Sequence, residues 1–205
     1  MFNQTDVIAI FGRRGSGKSY LAAKIQSLYP RRVVFDTLNE YSEGIQCRNF
    51  EEFSKTLENL KKQNSQNFQV VYQFDIEAIN HEREFDEAMR LCYYFGGLTV
   101  TIEEIQSFCS VHKMPHWLKN SLLTGRHQNM AIIVTTQRPG ECHKTVMSQC
   151  SHIFTGQLHD RNDVKYVSNF IGTEANELYL LDQRQFLHFC HGQPIRKMTN
   201  DFGYF

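Results

Sequence analysis

No apolar run in the chain approaches the ~18 residues needed to cross a bilayer. The strongest runs, residues 7–11 and 131–134, are the length of strands. The first residues lack the basic region and following apolar stretch of an export signal, so a soluble, unexported protein is expected. Proline is scarce, at four in 205 residues, and none sits in a long Gly/Ser linker. Internal repeats and low-complexity tracts are lacking, so residues 1–205 are expected to form a single domain. The six cysteines are scattered and include no C-x-x-C pair. Without an export signal they read as free, buried thiols of a reducing compartment. An excess of charge of one sign is lacking too. Lys plus Arg number 22 and Asp plus Glu number 22, which excludes a strongly basic nucleic-acid coat protein but leaves room for a local basic patch or a ring pore.

What is present is a globular composition, 41% hydrophobic and 21% charged, in which short apolar runs alternate with helix-like segments. Strands are expected at 7–11, 32–35, 68–74, 98–102, 131–135 and 152–155. Helices are expected at 18–28, stopped by Pro30, at 50–62, where Phe50, Phe53, Leu57 and Leu60 recur at helical spacing, and at 85–94. Residues 160–181 read as mostly helical. Residues 185–190 and 194–198, joined through His191, Gly192 and Gln193, read as a closing hairpin. Strands alternating with helices imply crossover units. The expected fold is α/β, with a central mainly parallel sheet flanked by helices and a C-terminal β-hairpin.

The strongest chemical signal is Gly12-Arg13-Arg14-Gly15-Ser16-Gly17-Lys18-Ser19, which fits G-x-x-x-x-G-K-[ST] at every position. A strand ends just before it and a helix begins near Lys18. Glycines permit positive φ, so backbone N–H groups can curl around a phosphate, and the helix N-terminus adds partial positive charge. Lys18 would reach the β- and γ-phosphates, and the Ser19 hydroxyl would ligate Mg²⁺. Tyr20 follows directly and completes the candidate nucleotide-binding set. Arg13 and Arg14 either touch phosphate or a neighbouring subunit, or are solvated loop charges. Two further strand ends carry polar groups. Residues 98–102 run into Glu103 and Glu104, as in a Walker B element. There Glu103 would support Mg²⁺, and Glu104 would orient and deprotonate an attacking water. The alternative for this pair is a solvated helix start. Residues 131–136 run into Gln137, which can donate to a γ-phosphate oxygen and accept from water.

In order along the chain, these motifs resemble the FtsK/HerA superfamily of P-loop DNA-pumping ATPases. The P-loop looks like the family's Walker A. Asp36, Glu40 and Tyr41 look like its second strand and acidic-Tyr turn, and Glu103-Glu104 like its Walker B. Gly125-Arg126, with Thr135-Thr136-Gln137-Arg138-Pro139 after it, looks like its sensor strand. The stretch from Thr145 to Cys150 and on to Asp163 is similar to the segment that the family carries after that strand. A core of about this length resembles the genome-packaging ATPases of membrane-containing icosahedral viruses. The resemblance implies ATP and Mg²⁺ as cofactors and a homo-oligomeric ring, a hexamer by expectation, acting on double-stranded DNA. It also implies possible association with a capsid vertex or viral membrane protein, a location in host cytoplasm or virion, and a catalytic arginine supplied by a neighbour. Arg126 is the first candidate for that arginine, with Arg138 and Arg161 as rivals.

Other readings stay open at this stage. A small-molecule or nucleoside kinase shares the P-loop, but residues 160–181 hold only Arg161 and Lys165 where an arginine-rich lid would be expected. A nucleotide switch or assembly protein without turnover would not need Glu104. Cys109, His112 and His116 have spacings a zinc site could use, without a matching partner cluster. His112, Lys113, His116, Lys119, Arg126 and His127 gather between the fourth and fifth expected strands, either as a phosphate-tracking surface or as solvated charges.

Overall fold

The computed structural model describes residues 2–76 and 80–203. Its elements are β1 (Val7–Phe11), α1 (Lys18–Gln26), β2 (Arg31–Asp36), β3 (Ile45–Cys47), α2 (Phe50–Lys62), β4 (Phe68–Gln73), α3 (His81–Phe95) and β5 (Thr99–Ile102). They continue with α4 (His116–Thr124), β6 (Ala131–Thr136), α5 (Lys144–Gln149), β7 (His152–Thr155), α6 (Arg161–Ile171), α7 (Ala175–Tyr179), β8 (Gln185–Cys190) and β9 (Arg196–Thr199). The strands form one sheet in the order β3-β4-β2-β5-β6-β1-β7-β8-β9. The seven from β3 to β7 are parallel, and β8 and β9 are antiparallel.

The central strands are apolar throughout because both of their faces are covered. All five residues of β1 are buried. Successive side chains alternate between faces, so Val7, Ala9 and Phe11 enter one core and Ile8 and Ile10 the other. The larger core receives Phe53, Leu57 and Leu60 of α2, Phe85, Met89 and Cys92 of α3, Leu118 of α4, and Val164 and Val167 of α6. The smaller core receives Leu21, Ala22 and Ile25 of α1, with Phe186 and Met198 of the hairpin.

Local chemistry fixes the helix ends. The Asn49 side chain accepts a hydrogen bond from the Glu52 N–H at the start of α2, and the Asp160 side chain accepts from the N–H groups of Asn162 and Asp163 at the start of α6. The expected helical stretch 160–181 is broken in two at Gly172, whose φ of 74° closes α6. Three elements escaped the sequence reading. β3 is three residues long and mostly exposed. α4 and α5 are short, and α4 has no side-chain cap at its start. Among the described residues, no helix is long and apolar enough to cross a membrane.

Register places the functional strand ends side by side. Phe11 of β1 pairs with Thr136 of β6, and Ile102 of β5 pairs with Val134 of β6. The chain therefore leaves β1, β6 and β5 at one carboxyl edge, the edge where open α/β sheets bind ligands.

Candidate active site

The P-loop emerges from β1 and folds back on itself. The Ser16 N–H donates to the Arg13 carbonyl at 3.1 Å, and the Arg13 N–H donates to the Gln157 carbonyl at 2.9 Å. Two glycines are required by space as well as conformation. A Cβ on Gly12 would sit 2.6 Å from the Ser16 hydroxyl. Gly17, at φ 93°, would bring a Cβ within 3.0 Å of the Asn200 amide. Lys18, Ser19 and Tyr20 then open α1, where backbone N–H groups have no partner inside the helix.

Lys18 is buried, at 6% exposure. Its Nζ reaches only long contacts among the described residues, the Arg13 carbonyl at 3.5 Å and Glu104 Oε1 at 3.7 Å. A buried ammonium with such partners is under-compensated. A phosphate set among the loop N–H groups would complete it, so the residues present fit a nucleotide. Ser19 lines the same cleft. A hydroxyl facing incoming phosphates suits Mg²⁺, which keeps most of its shell as water and substrate oxygen.

Glu104 is the chemical centre. Its backbone is left-handed, at φ 46° and ψ 59°, which costs on the order of 1–3 kcal/mol for a non-glycine residue. The turn is held because the Glu104 N–H donates to Thr135 Oγ1 at 3.1 Å, while that hydroxyl donates to Glu103 Oε2. Its carboxylate is also fixed. Gln137 donates from Nε2 to Oε1 at 2.9 Å and from its backbone N–H to Oε2 at 3.2 Å. Gln106 Nε2 donates to Oε2 at 2.7 Å. Lys18, Glu104 and Gln137, read separately from three segments of sequence, thus converge on one cleft of about 690 Å³, ample for a nucleotide-sized ligand.

Glu103 takes a different place from the one expected. Its carboxylate is 1% exposed, lies outside the cleft lining, and accepts from Tyr41 at 2.6 Å and from Thr135. Burial pushes its carboxyl above the usual range and, with the Glu103 charge, pushes the Tyr41 phenol well up. Its position makes it a brace beneath Glu104 rather than a direct metal ligand. Asp36 explains the acidic-Tyr turn. Fully buried, it accepts from the N–H groups of Leu38, Glu40 and Tyr41 at 3.2, 3.2 and 2.9 Å. That wrapped turn delivers Tyr41 to Glu103 and Leu38 and Glu40 to the cleft wall.

The arginines separate clearly. Arg14 lines the cleft, and the Arg13 side chain is exposed outside that lining. Arg138 is engaged by Glu141 at 2.9 Å, Asp160 at 3.6 Å and buried Asp163 at 2.9 Å, which ties it to its own subunit. Arg126 is exposed in a 3₁₀ turn (Gly125–Gln128) before β6. It lies a strand length, about 20 Å, from the cleft edge, so it does not join this chain's own site. Arg161 is exposed at the start of α6. Of the zinc-spaced residues, Cys109 is buried while His112 and His116 are exposed. No group of three or more metal-binding side chains is assembled among the described residues.

Sequence reasoning missed Gln106, Thr135 as a brace, and the cleft residues Gln183, Arg184, Asn200 and Asp201. Gln106 lies two residues past the acidic pair and had a local signal. The other four come from the hairpin region, and only the fold brings them to the P-loop.

Comparison with known proteins places the chain in a family. The profile of the zonular occludens toxin (Zot) family matches residues 7–169. The chain belongs to the Zot family. This Zot-family chain is also 23% identical over 175 residues to Protein P9 of Pseudoalteromonas phage PM2, covering 84% of this chain and 78% of that protein. Its fold matches the genome packaging NTPase B204 of Sulfolobus turreted icosahedral virus 2 in complex with ATP-gammaS. That match has TM-score 0.76 and 21% identity and covers 97% of this chain and 98% of the other. VirB4 of Thermoanaerobacter pseudethanolicus matches at TM-score 0.61 and 11% identity, covering 94% and 87%. The α/β P-loop fold and the likeness to viral genome-packaging NTPases read from the motifs are both found in these matches.

Proposed function

We propose that the protein is an ATPase that drives double-stranded DNA through a homo-oligomeric ring, packaging a viral genome. The observation that carries the hydrolytic part is the convergence of buried Lys18 with Glu104 and Gln137 at one carboxyl edge. Lys18 and the loop N–H groups bind the β- and γ-phosphates. Ser19 would hold a magnesium ion arriving with the nucleotide, and that ion would neutralise phosphate charge. Glu104 takes the proton of the attacking water as its oxygen bonds to the γ-phosphorus and the bond to the β-phosphate oxygen breaks. Gln137, already donating to Glu104, can turn a donor to the γ-phosphate as that site fills.

The packaging part is supported by the name of the genome packaging NTPase whose fold the chain shares and by its similarity to a phage protein. Arg126, exposed and free of the cleft of its own chain, is the candidate to act on a neighbour. The exposed cations Lys113, Lys119 and Arg126, with His112, His116 and His127, are the candidate DNA surface. Against a kinase, residues 160–181 do not form an open lid. They are helices α6 and α7, with Val164, Val167, Ile171 and Leu178 buried in the larger core.

The test is the rate of ATP hydrolysis with and without double-stranded DNA at two salt concentrations. A DNA-stimulated rate that falls at higher salt is the expected result. Lys18→Ala should lose nucleotide binding and hydrolysis together. Glu104→Gln should keep nucleotide and lose about 100-fold or more in turnover; unchanged turnover removes Glu104 from the base role.

A further inference from the structure

The cleft is longer than its phosphate end. Beyond Lys18 and Gly17 it is walled by Tyr20 of α1, by Gln183 and Arg184 before β8, and by Asn200 and Asp201 after β9. This wall is fastened at several points. Gln183 Nε2 donates to the Gly15 carbonyl at 3.0 Å. The Asn200 N–H donates to the Arg184 carbonyl at 3.0 Å. Asp201 accepts from Tyr20 at 2.9 Å and from Lys24 at 2.7 Å. The four hairpin-side residues lie outside the stretch 7–169 that defines the family match, so membership of the family says nothing about them.

Their chemistry suits the part of a nucleotide that a P-loop cannot read. Asn200 is buried, at 4% exposure, yet lines the cleft. Its amide offers a donor beside an acceptor, the pattern that pairs with the edge of adenine. Arg184 is exposed, adopts φ 67°, and lines the cleft beside it. A guanidinium there can lie flat on an aromatic ring. The Asp201 carboxylate, held in place by Tyr20 and Lys24, is an acceptor suited to ribose hydroxyls.

We infer that this C-terminal wall is the nucleoside subsite, in which Arg184 stacks on the base and Asn200 reads the edge of adenine. The inference rests on the nucleotide-binding reading above and deepens it. The C-terminal hairpin, rather than the P-loop, selects the nucleotide.

The experiment measures equilibrium binding of ATP, GTP and inorganic tripolyphosphate, each with magnesium, to the full chain and to Asn200→Ala and Arg184→Ala. Circular dichroism confirms folding. Arg184 is exposed, so its variant keeps the test valid if the buried substitution unfolds the chain. The expected result is that the unaltered protein prefers ATP by about tenfold or more to GTP, whose base presents two acceptors where adenine has a donor and an acceptor. Each folded variant should lose about tenfold for ATP while tripolyphosphate binding stays unchanged. Equal weakening of ATP and tripolyphosphate overturns the inference, because the wall would then act only through the P-loop. Unchanged ATP binding in Arg184→Ala, or no preference for ATP over GTP, overturns it while leaving the nucleotide site intact. Failure of the unaltered protein to bind both ATP and tripolyphosphate overturns the nucleotide reading itself.

Discussion

Glu104 shows how closely a carboxylate at a strand end can be held. An ionised carboxylate has about four acceptor positions, and here Gln106 takes one, Gln137 two, and Lys18 lies at 3.7 Å. In the proposed reaction, such a carboxylate would take a proton only once a phosphate has drawn Lys18 and Gln137 away. Gln106 would then be its remaining anchor, itself held because the Thr136 hydroxyl donates to its Oε1 at 2.6 Å. Gln106→Ala should therefore lower kcat by about tenfold with KM and the thermal midpoint nearly unchanged, as steady-state kinetics and a melt would show. A parallel rise in KM would mean that Gln106 shapes the binding site instead. The sequence made Lys18, Glu104 and Gln137 readable because each sits at a fixed step from a strand end. It gave Glu103 and Glu104 different roles but not the different depths at which the fold sets them. The two neighbours differ only in the direction the backbone turns, and that turn is set by Thr135, more than thirty residues away.

Among the elements, the buried parallel strands and the amphipathic helix α2 were legible, because a face that must be covered writes its period into the sequence. β3, α4 and α5 were not. They are short, and packing against elements distant in sequence decides them. The connection between β6 and α6 shows a further limit. Sequence position ranked Arg126 ahead of Arg138 and Arg161 as the candidate for a neighbour's site, and only side-chain placement shows what each arginine touches in its own chain. Arg138 fastens this connection to α6 through Asp163, which is 2% exposed and also accepts from the Gly140 N–H at 2.8 Å. Removing the guanidinium leaves a buried carboxylate with one fewer partner. Arg138→Ala should cost about 1–3 kcal/mol of stability, read as a lower urea midpoint. Arg126→Ala, at an exposed position, should leave that midpoint unmoved while lowering hydrolysis in the assembled ring. Equal urea midpoints for Arg138→Ala and the unaltered protein would show that Arg138 is not the fastener described here.

For the whole molecule, acid tolerance is set partly far from the cleft. His188 of β8 stacks on Phe154 with 4.2 Å between ring centroids and meets His152 at 3.0 Å. Burial first, and then the charge of His152, lower its pKa from 6.5 to about 4. Between those values the unfolded chain takes up a proton that the folded protein refuses, so stability falls as pH drops through this window and levels off below it. Glu103 pulls the opposite way, since its raised pKa makes the folded protein retain a proton that the unfolded chain has released. The difference between the protein and His188→Gln isolates the histidine. Urea midpoints at pH 7, 5.5 and 4.5 should fall less steeply in the variant, and identical slopes would contradict the assignment.

The two borders of the sheet carry a consequence for assembly. One border is β3, three residues long, and the other is β9, four residues long and carrying Arg196 and Lys197. A stub and a short basic strand are poor templates for a further strand from another molecule. Copies of this chain are thereby discouraged from zipping edge to edge into open-ended fibres. In the ring proposed above, contacts between copies would fall to the helical faces and to the rim around the cleft, where a side chain from one copy can approach the nucleotide of the next.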